Sequence, residues 1–283
     1  MFSIIIPSFN NVEYLKLCLK SIKKNSKFSH EIIVFVNEGK DGTLNFLESE
    51  KIKFLHSNKN IGLCAAVNKA ADLATNEYIL YSHDDMYFCP GWDIVFVEEV
   101  EKYGKSKDFF LSGTMIQPFE SFINLDCGKN IDDFDEVKLL KQYRNIDYPD
   151  YQGSTWAPHL IPTSTWKKIG GFSEEYTFGI GSDPDLNMKL WKLGVRLHKG
   201  LGNSRVYHFG SISLRKKVWN DGHKVFLLKW GITTKFFKKF YLKSDTKFEK
   251  ELEEPLRNFE FLYHLFICKL KYIYLKLTYK MKN

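Results

Sequence analysis

Residues 2–22 read FSIIIPSFNNVEYLKLCLKSI and carry the strand, turn and helix that begin the fold. The apolar run at residues 3–6 predicts a strand that Pro7 ends, and residues 10–13, from Asn to Glu, predict a capped helix start. Apolar residues then recur at helical spacing, at Val12, Leu15, Leu19 and Ile22. This segment therefore predicts a βα unit.

The same alternation continues to residue 81. Apolar strands are predicted at residues 31–36, 52–56 and 78–81, and helices are predicted after Asp41 and over residues 62–73. Strands that alternate with helices at this spacing predict an α/β fold with a mostly parallel sheet and helices on both faces. Ligands of such sheets bind beyond the carboxyl ends of the strands.

Polar loops follow each of the first four predicted strands. They read PSFN at 7–10, NEGKD at 37–41, NKNIG at 58–62 and HDDM at 83–86. Each loop alone is typical of a turn, but four of them should converge at one edge of the sheet. The adjacent carboxylates of Asp84 and Asp85 repel each other unless a cation or hydrogen-bond donors compensate.

Composition excludes several classes of protein. The chain has 283 residues, 44% of them hydrophobic, which is typical of a globular protein. Its five cysteines stand far apart without a C-x-x-C pair, which excludes a zinc knuckle and a disulfide framework and favours a reducing compartment. The first residues lack a basic signal-peptide region, and the apolar stretch 261–268 is far shorter than the roughly 20 residues of a membrane span.

Positive charge is concentrated at the C-terminal end. Residues 215–283 hold 17 Lys and Arg against 7 Asp and Glu, a balance of +10, whereas residues 1–214 hold 24 against 27, a balance of −3. Beyond Pro255 a basic helix is predicted, with apolar residues at Phe259, Leu262, Phe266, Leu270, Ile273 and Leu277 among Lys269, Lys271, Lys276, Lys280 and Lys282. Two interpretations remain open: the stripe binds an anionic membrane surface, or it packs on the folded domain that precedes it or on a second subunit in a homodimer. No nucleic-acid-binding motif accompanies the charge.

Five motifs in order give the chain a family resemblance. They are SIIIPSFNNVEYLKLCLKSI, VNEGKDGT, NKNIG, HDDM and GGFSEEYTFGIGSDPDLNMKLWKLG. Together they resemble the family 2 glycosyltransferases, over about residues 2–231. The resemblance implies the GT-A fold, with a glycosyltransferase domain at 1–231, divided into a nucleotide-sugar half at 1–118 and an acceptor half at 119–231. A basic helical extension at 232–283 completes the predicted organisation.

The resemblance also assigns residues to the donor. Pro7 and Ser8 flank the base, Glu38 accepts a hydrogen bond from it, and Asp84 reaches the ribose. The family more often has a longer Asp-Asp-Gly-Ser loop where this chain has Asn-Glu-Gly-Lys. The residues that the resemblance assigns to the nucleotide-sugar are Pro7, Ser8, Asn10, Glu38, Asn60, Gly62 and Asp84. A helix cap is a compatible reading of Asn60 and Gly62.

Asp85 and His208 match the metal-binding positions of the family. The resemblance implies a divalent cation, Mn²⁺ or Mg²⁺, that stabilises the diphosphate leaving group as a Lewis acid. Imidazole and carboxylate together suit Mn²⁺ somewhat better. His208 belongs to a segment that runs from Arg205 to Ser211. For His83 a structural hydrogen bond is favoured over direct ligation.

Asp183 occupies the family's general-base position, within Ser182-Asp183-Pro184-Asp185, where Ser182 replaces the usual Glu. An inverting transferase needs one carboxylate to take the acceptor hydroxyl's proton. The alternative is a helix cap, because Asp-Pro is also a helix start. The helix over 185–193 is expected to bury Leu186, Leu190 and Leu193 and to end at Gly194. The Lys-Trp-Gly segment at 229–231 resembles one in relatives, and packing at the nucleotide site and support of the acceptor side both remain open.

The leading hypothesis is a metal-dependent inverting glycosyltransferase. It would move a sugar from a nucleotide-sugar donor to a glycan or glycolipid acceptor in surface polysaccharide or lipopolysaccharide synthesis, in the cytoplasm or on the inner face of the membrane. Residues 120–151 are interpreted as an acceptor-side insertion. A nucleotidyltransferase is disfavoured because residues 3–8 offer no glycine-rich phosphate loop. A non-catalytic sugar-nucleotide or membrane-binding module is the other hypothesis.

Overall fold

Ten strands form one mixed sheet in the computed structural model, which describes residues 1–104, 107–119, 121–177, 179–210 and 221–278. The strands are β1 (Phe2–Phe9), β2 (Glu31–Asn37), β3 (Lys53–Ser57), β4 (Tyr78–Tyr81), β5 (Met86–Phe88), β6 (Phe109–Gln117), β7 (Ile123–Asn124), β8 (Tyr151–Gln152), β9 (His159–Pro162) and β10 (Leu197–His208). The order across the sheet is β3-β2-β1-β4-β9-β6-β10-β5, with β7 beside β6 and β8 beside β10.

The helices follow the strands as the alternation predicts. They are α1 (Val12–Asn25), α2 (Thr43–Ser49), α3 (Leu63–Ala71), α4 (Trp92–Tyr103), α5 (Glu136–Gln142), α6 (Thr163–Ile169), α7 (Ser182–Leu193), α8 (Gly222–Trp230), α9 (Thr234–Phe236) and α10 (Phe259–Thr278). A π-helical turn, Phe237–Leu242, continues α9. None of these helices is long and apolar enough to span a membrane.

The first four strands pair in parallel, as predicted, and β9 then enters antiparallel between β4 and β6. The prediction that Pro7 ends β1 is wrong. Pro7 pairs with Phe35 of β2, but it lies beyond Ile5, the last β1 residue paired with β4. A proline is tolerated where one side of a strand has no neighbour, because its missing N–H then breaks no ladder bond. The strand therefore continues to the polar loop.

Apolar side chains of the sheet and its helices fill a main core, in which Ile4, Ile5 and Ile6 are fully buried. The predicted α7 stripe is partly wrong: Leu186 and Leu190 are buried, but Leu193 is 41% exposed. Leu193 shares the face of Leu186 and Leu190, but it is the last residue of α7 and lies past the edge of the core. A second side of α7 is also covered, because Met188 and Trp191 belong to a separate hydrophobic cluster with Phe226, Ile232, Phe236, Phe237, Leu242, Leu252, Phe261 and Cys268.

All five cysteines are free thiols and all five are buried. Burial raises the pKa of Cys18, Cys64, Cys89 and Cys127.

Candidate active site

The polar loops after β1, β2 and β3 meet at one edge of the sheet. Asn10 donates its side-chain amide to Glu38 at 3.3 Å and accepts the backbone N–H of Lys40 at 2.9 Å. Glu38 donates its own backbone N–H to the carbonyl of Ser57, the last residue of β3. Asn10 and Glu38 both have positive φ, 47° and 64°, which bends the two loops toward each other. The expected convergence of these loops is thus present.

The predicted capping of α1 by residues 10–13 is wrong. The side chain of Asn10 is used between the loops, and Glu13 instead pairs with Lys16 at 2.6 Å. The first backbone N–H of the helix, at Val12, is accepted by Asp41 Oδ2 at 2.7 Å. A residue from the β2–α2 loop therefore satisfies the helix end, which local sequence could not reveal.

Asn60 and Gly62 shape the loop before α3. Asn60 Oδ1 accepts the N–H of Gly62 at 2.9 Å, so the side chain stabilises the turn and does not cap the helix, which begins at Leu63. Gly62 has φ of 89°, and a Cβ there would lie 2.5 Å from the Thr177 carbonyl oxygen. That oxygen accepts the N–H of Leu63 at 2.9 Å. This turn joins the first half of the sheet to the segment before α7.

Asp84 lies in the loop after β4 and is buried. Ser8 donates its hydroxyl to Asp84 Oδ2 at 2.7 Å, which links the β1 loop to the loop after β4. Burial and the neighbouring charge of Asp85 raise the pKa of Asp84 to about 7. The structure thus brings together Ser8 and Asp84, two residues that the sequence assigned to the donor.

Asp85 faces two imidazoles. Its Oδ1 lies 3.3 Å from His208 Nε2 and 3.9 Å from His83 Nδ1, and ligand atoms of the three residues lie within 4.8 Å of one another. His208 Nε2 is buried and has no hydrogen-bond partner among the described residues. The side-chain amide of Gln117 lies 2.9 Å from the other ring nitrogen, Nδ1. One nitrogen of His208 is therefore held by β6, and the other is aimed at the carboxylate.

This group has the chemistry of a cation site. Burial and the proximity of His208 lower the pKa of His83 to about 4, which keeps that imidazole neutral. Neutral imidazole and carboxylate are ligands for divalent cations. The buried, unpartnered Nε2 of His208 is an atom that a cation would satisfy. His83 lies in this group, although the sequence favoured a structural hydrogen bond for it.

Asp183 is in the first turn of α7, which begins one residue earlier at Ser182. The capping alternative for Asp183 is wrong, because the cap position is Gly181 and no side chain caps the helix. Oδ1 of Asp183 is shielded from solvent without a hydrogen-bond partner among the described residues. Burial raises the pKa of this carboxyl to about 7, and the nearby Lys238 ammonium opposes the rise. Such a group can take up a proton near neutral pH.

Asp185, two residues later, is the opposite case. It is fully buried and accepts hydrogen bonds from Ser173 at 2.6 Å and from Trp230 Nε1 at 2.7 Å. Lys229 also lies 3.0 Å from its Oδ1. The Lys-Trp-Gly segment therefore contacts Asp185 through the side chains of Lys229 and Trp230. A carboxylate with this many partners stabilises the junction of α7 and α8 and is poorly placed to accept another proton.

Two adjoining cavities connect these groups. The larger, of about 920 Å³, is bordered by His83, Asp183 and the segment after α8. The smaller, of about 580 Å³, is bordered by Gln117 and His208. His83, Trp156 and Asp245 line both cavities. His83 and His208 thus border the same pair of adjoining cavities as Asp183. They belong, with Asp85, to the histidine–aspartate group, and Asp85 itself lines neither cavity.

Several residues around this space were not predicted from the sequence. Trp156 is 43% exposed, and the ammonium of Lys238 lies 4.9 Å from its ring centre. Lys235, Lys239 and Lys243 also line the larger cavity, and all of them lie beyond the last recognised motif. A lone Gln117 within a strand carries no sequence signal. Lys280, Lys282 and Ser211, and the residues Glu120, Phe178 and Arg215 of predicted segments, lie outside the described residues.

The N-terminal part of the chain matches a known family. Residues 3–111 match the model described as "Glycosyl transferase family 2", which confirms the resemblance inferred from the motifs. A "PGL/p-HBAD biosynthesis glycosyltransferase" of Mycobacterium bovis (strain BCG / Pasteur 1173P2) is 30% identical over 95 residues, 31% of this chain and 37% of the relative. A relative of the same name in Mycobacterium tuberculosis (strain ATCC 25177 / H37Ra) matches to the same extent. The chain therefore spans little more than a third of the length of these curated relatives.

Solved structures extend the likeness to the whole fold. S. aureus TarS 1-349 in complex with UDP has a TM-score of 0.57 at 15% identity, covering 100% of this chain and 73% of that chain. The same protein in complex with UDP-GlcNAc has a TM-score of 0.57 at 14% identity, covering 99% and 76%. The predicted fold, a mostly parallel sheet flanked by helices with a C-terminal helix, is confirmed.

Proposed function

We propose that this chain transfers a sugar from a nucleotide-sugar donor to a glycan or glycolipid acceptor, with inversion at the anomeric carbon. Its residues 3–111 match the family 2 glycosyltransferase model. One observation carries the proposal. Asp183, a half-buried residue whose Oδ1 has no hydrogen-bond partner among the described residues, borders the same cavity as His83. His83 belongs to the histidine–aspartate group at the carboxyl ends of the strands. That is where α/β sheets bind their ligands.

On the donor side, the loops after β1 to β4 are proposed to hold the nucleotide. Ser8, bonded to Asp84, and Asn10, bonded to Glu38, would present their loops to the base and the ribose. Asn60 and Gly62 would let backbone approach the nucleotide closely, and Pro7 would flank the base. The neighbours crystallised with UDP and UDP-GlcNAc make uridine diphosphate the first nucleotide to test.

Asp85 and His208, with His83, are proposed to hold a divalent cation, Mn²⁺ or Mg²⁺. The fit rests on three ligand atoms within 4.8 Å of one another and on the buried Nε2 of His208. When bound, such a cation stabilises the negative charge on a departing diphosphate as a Lewis acid. Gln117 would keep the His208 ring oriented through Nδ1, as outer partners of metal ligands do.

Asp183 is proposed as the general base. As the acceptor hydroxyl oxygen bonds to the anomeric carbon, the bond from that carbon to the nucleoside diphosphate breaks, and the hydroxyl proton passes to the Asp183 carboxylate. A pKa of about 7 suits this step, because a base near the working pH is both unprotonated and basic. The acceptor would occupy the larger cavity, which Trp156 and Lys238 line.

The wider setting follows from the same proposal. An acceptor in surface polysaccharide or lipopolysaccharide synthesis, and a place in the cytoplasm or on the inner membrane face, stay predictions. The predicted division into 1–118, 119–231 and 232–283 also stays a prediction. A non-catalytic sugar-nucleotide or membrane-binding module is the alternative, and a sugar-nucleotide hydrolysis assay separates the two because only an enzyme turns the donor over.

The first prediction tests the cation site through nucleotide binding. Asp85→Asn removes a ligand charge while keeping the side-chain size, so we expect it to abolish the gain in UDP affinity that Mn²⁺ gives the wild type. Calorimetric titration of UDP with and without Mn²⁺ measures this. Asp72→Asn changes an exposed aspartate just after α3 and should behave as the wild type does.

Two results would contradict this assignment. If the wild type binds UDP equally with and without Mn²⁺, the histidine–aspartate group does not hold a cation that contacts the diphosphate. If Asp85→Asn keeps the full dependence on Mn²⁺, the cation is held by other residues. A thermal-shift series of nucleoside diphosphates in parallel identifies the base, since a bound ligand stabilises the folded chain.

A further inference from the structure

The outer face of α10 is wholly apolar. Its side chains are between 49% and 86% exposed: Phe259, Leu262, Tyr263, Phe266, Leu270, Ile273, Tyr274 and Leu277. With about 100° of rotation per residue, all eight fall within an arc of roughly 120°. The helix therefore presents one continuous apolar stripe to solvent along its length.

The opposite face of α10 is the one that docks on the protein. Phe261 is buried, with its ring 5.0 Å from that of Phe236 and 5.3 Å from that of Phe240. Cys268, also buried, lies 3.6 Å from the Thr233 hydroxyl. The alternative that the predicted stripe packs on the catalytic domain is thus wrong, because different residues of the helix make that contact.

The exposed stripe is larger than an ordinary surface patch. An aromatic side chain has about 150–250 Å² of surface to bury. The four partly exposed aromatic side chains of the stripe therefore leave on the order of 500 Å² of their surface in contact with water. The largest patch of a typical monomer is about 300–600 Å², and the four aliphatic side chains add further area here. A surface of this size indicates a binding face.

The lysines that border the apolar stripe of α10 indicate which partner it binds. Lys269 and Lys276 lie on one border of the stripe and Lys271 on the other, all of them exposed. The one acidic residue of α10, Glu260, is held by Lys239 at 2.5 Å. Two copies packed face to face would bring their lysine borders together. Lipid headgroups of negative charge would instead meet those borders while the apolar stripe enters the layer below.

We propose that α10 is a membrane-surface helix that lies flat on an anionic lipid layer, with its apolar stripe inserted and Lys269, Lys271 and Lys276 at the headgroups. No helix among the described residues, α10 included, is long and apolar enough to span a membrane. A helix with one apolar face and charged borders instead lies along the surface. The proposed reaction is not needed for this inference, since the exposed stripe contributes nothing to the cavities.

Sedimentation of the full chain with vesicles tests the proposal. We expect binding to vesicles of phosphatidylcholine mixed with phosphatidylglycerol, weaker binding to phosphatidylcholine alone, and loss of binding as salt is raised. The double variant Phe266→Ser, Leu270→Ser should bind at least about tenfold more weakly. Val137→Ser is the matched control, because Val137 is 78% exposed on α5, away from the stripe.

A second pair of variants separates charge from apolar contact. Lys269→Gln with Lys276→Gln should weaken binding to the anionic vesicles on the order of tenfold, whereas Lys129→Gln with Lys167→Gln, at exposed sites elsewhere, should change it little. UDP affinity should stay unchanged in all of these variants. This readout keeps a failure of the membrane proposal distinct from a failure of the proposed reaction.

Three results would overturn the proposal. The first is that the wild type fails to bind anionic vesicles. The second is that the Phe266→Ser, Leu270→Ser variant binds them as well as the wild type does. The third is that light scattering finds a dimer which the double substitution converts to a monomer, while neither protein binds vesicles. In that third case the stripe is a contact between two copies.

Discussion

At the scale of single residues, two aspartates two positions apart have opposite environments. Asp185 is saturated by Ser173, Trp230 and Lys229, while Oδ1 of Asp183 is buried without a hydrogen-bond partner in the described part of the chain. An unsatisfied buried acceptor costs about 1–3 kcal/mol. Such a cost in a cavity wall is typical of a group kept ready for a ligand or a proton.

Asp183→Asn tests the proposed base. Asn cannot take the acceptor proton, and losing a general base commonly costs roughly 10²–10⁴ in rate, so transfer should fall at least a hundredfold. No side-chain cap is lost, so the fold and the UDP affinity should be kept. Steady-state transfer assays and UDP titration measure both. Asp185→Asn is the contrasting control, since it removes a buried ion-pair partner and should lower the melting temperature.

The pH dependence of the same variant has a definite sign. Asp183 faces Lys238, Cys64 and Tyr81, and its folded pKa of about 7 lies above the usual value near 3.9. The folded chain therefore binds this proton more tightly than the unfolded chain, and its contribution to stability is lost as pH rises from about 4 to 7. Asp183→Asn lacks that loss, so its melting temperature relative to wild type should increase over this range. Wild-type transfer should rise with pH through about 7, and retained transfer in the variant would place the base elsewhere.

At the scale of elements, the turn before α3 joins two halves of the sheet. Gly62 combines positive φ with close contact to the Thr177 carbonyl, whereas Gly42 has φ of 92° and open space where a Cβ would lie. The two glycines also differ in ψ, which is 163° at Gly62 and 4° at Gly42, so Gly62 has both the more restricted backbone and the closer contact. The Asn-x-Gly pattern indicated a close approach of backbone, but the approaching residue, 115 positions away, is defined only by the fold.

Gly62→Ala should destabilise the chain more than Gly42→Ala. Gly42→Ala carries the roughly 1–2 kcal/mol cost of a left-handed residue, and Gly62→Ala carries at least that cost, because essentially only glycine adopts its backbone angles. Only Gly62→Ala also forces the Thr177 carbonyl aside and disturbs its bond to Leu63, so we expect an additional loss of at least about 1 kcal/mol. Urea unfolding of the two variants gives the difference directly. Equal losses would mean that the turn relaxes freely and does not hold the two halves in place.

At the scale of the whole molecule, the first half was predictable and the second half was less so. Local alternation of apolar and polar residues gave the four parallel strands, because each βα unit is contiguous in sequence. The antiparallel entry of β9 and the partner of His208, Gln117, depend on pairs of residues far apart in sequence. The α10 stripe was recognised as an apolar arc, but periodicity does not tell which face of a helix docks when both faces are apolar.

The segment after α8 also binds the C-terminal helix to the cavity wall. Phe261 packs on Phe236 and Phe240, next to the lysines that line the larger cavity. Phe261→Ala should cost about 3–5 kcal/mol of unfolding free energy, as for other large core side chains. Phe259→Ala, at a residue 86% exposed, should change it by less than about 0.5 kcal/mol.

Denaturant unfolding of the two phenylalanine variants distinguishes a docked helix from an independent one. A comparable small effect of both substitutions would mean that α10 does not dock through Phe261. We also expect Phe261→Ala to weaken substrate turnover more than UDP binding, because the wall that it supports borders Asp183 and not the donor loops.

The burial of all five thiols makes the chain suitable for chemical labelling without removal of any native cysteine. Thiolate is the reactive form, and burial that raises a thiol pKa suppresses it while the fold also blocks access by reagents. A cysteine introduced at an exposed position of α10, such as Phe266, would react alone with a maleimide fluorophore under native conditions. The emission of that fluorophore would then report the polarity around one chosen position of the helix, in buffer or in a suspension of lipid.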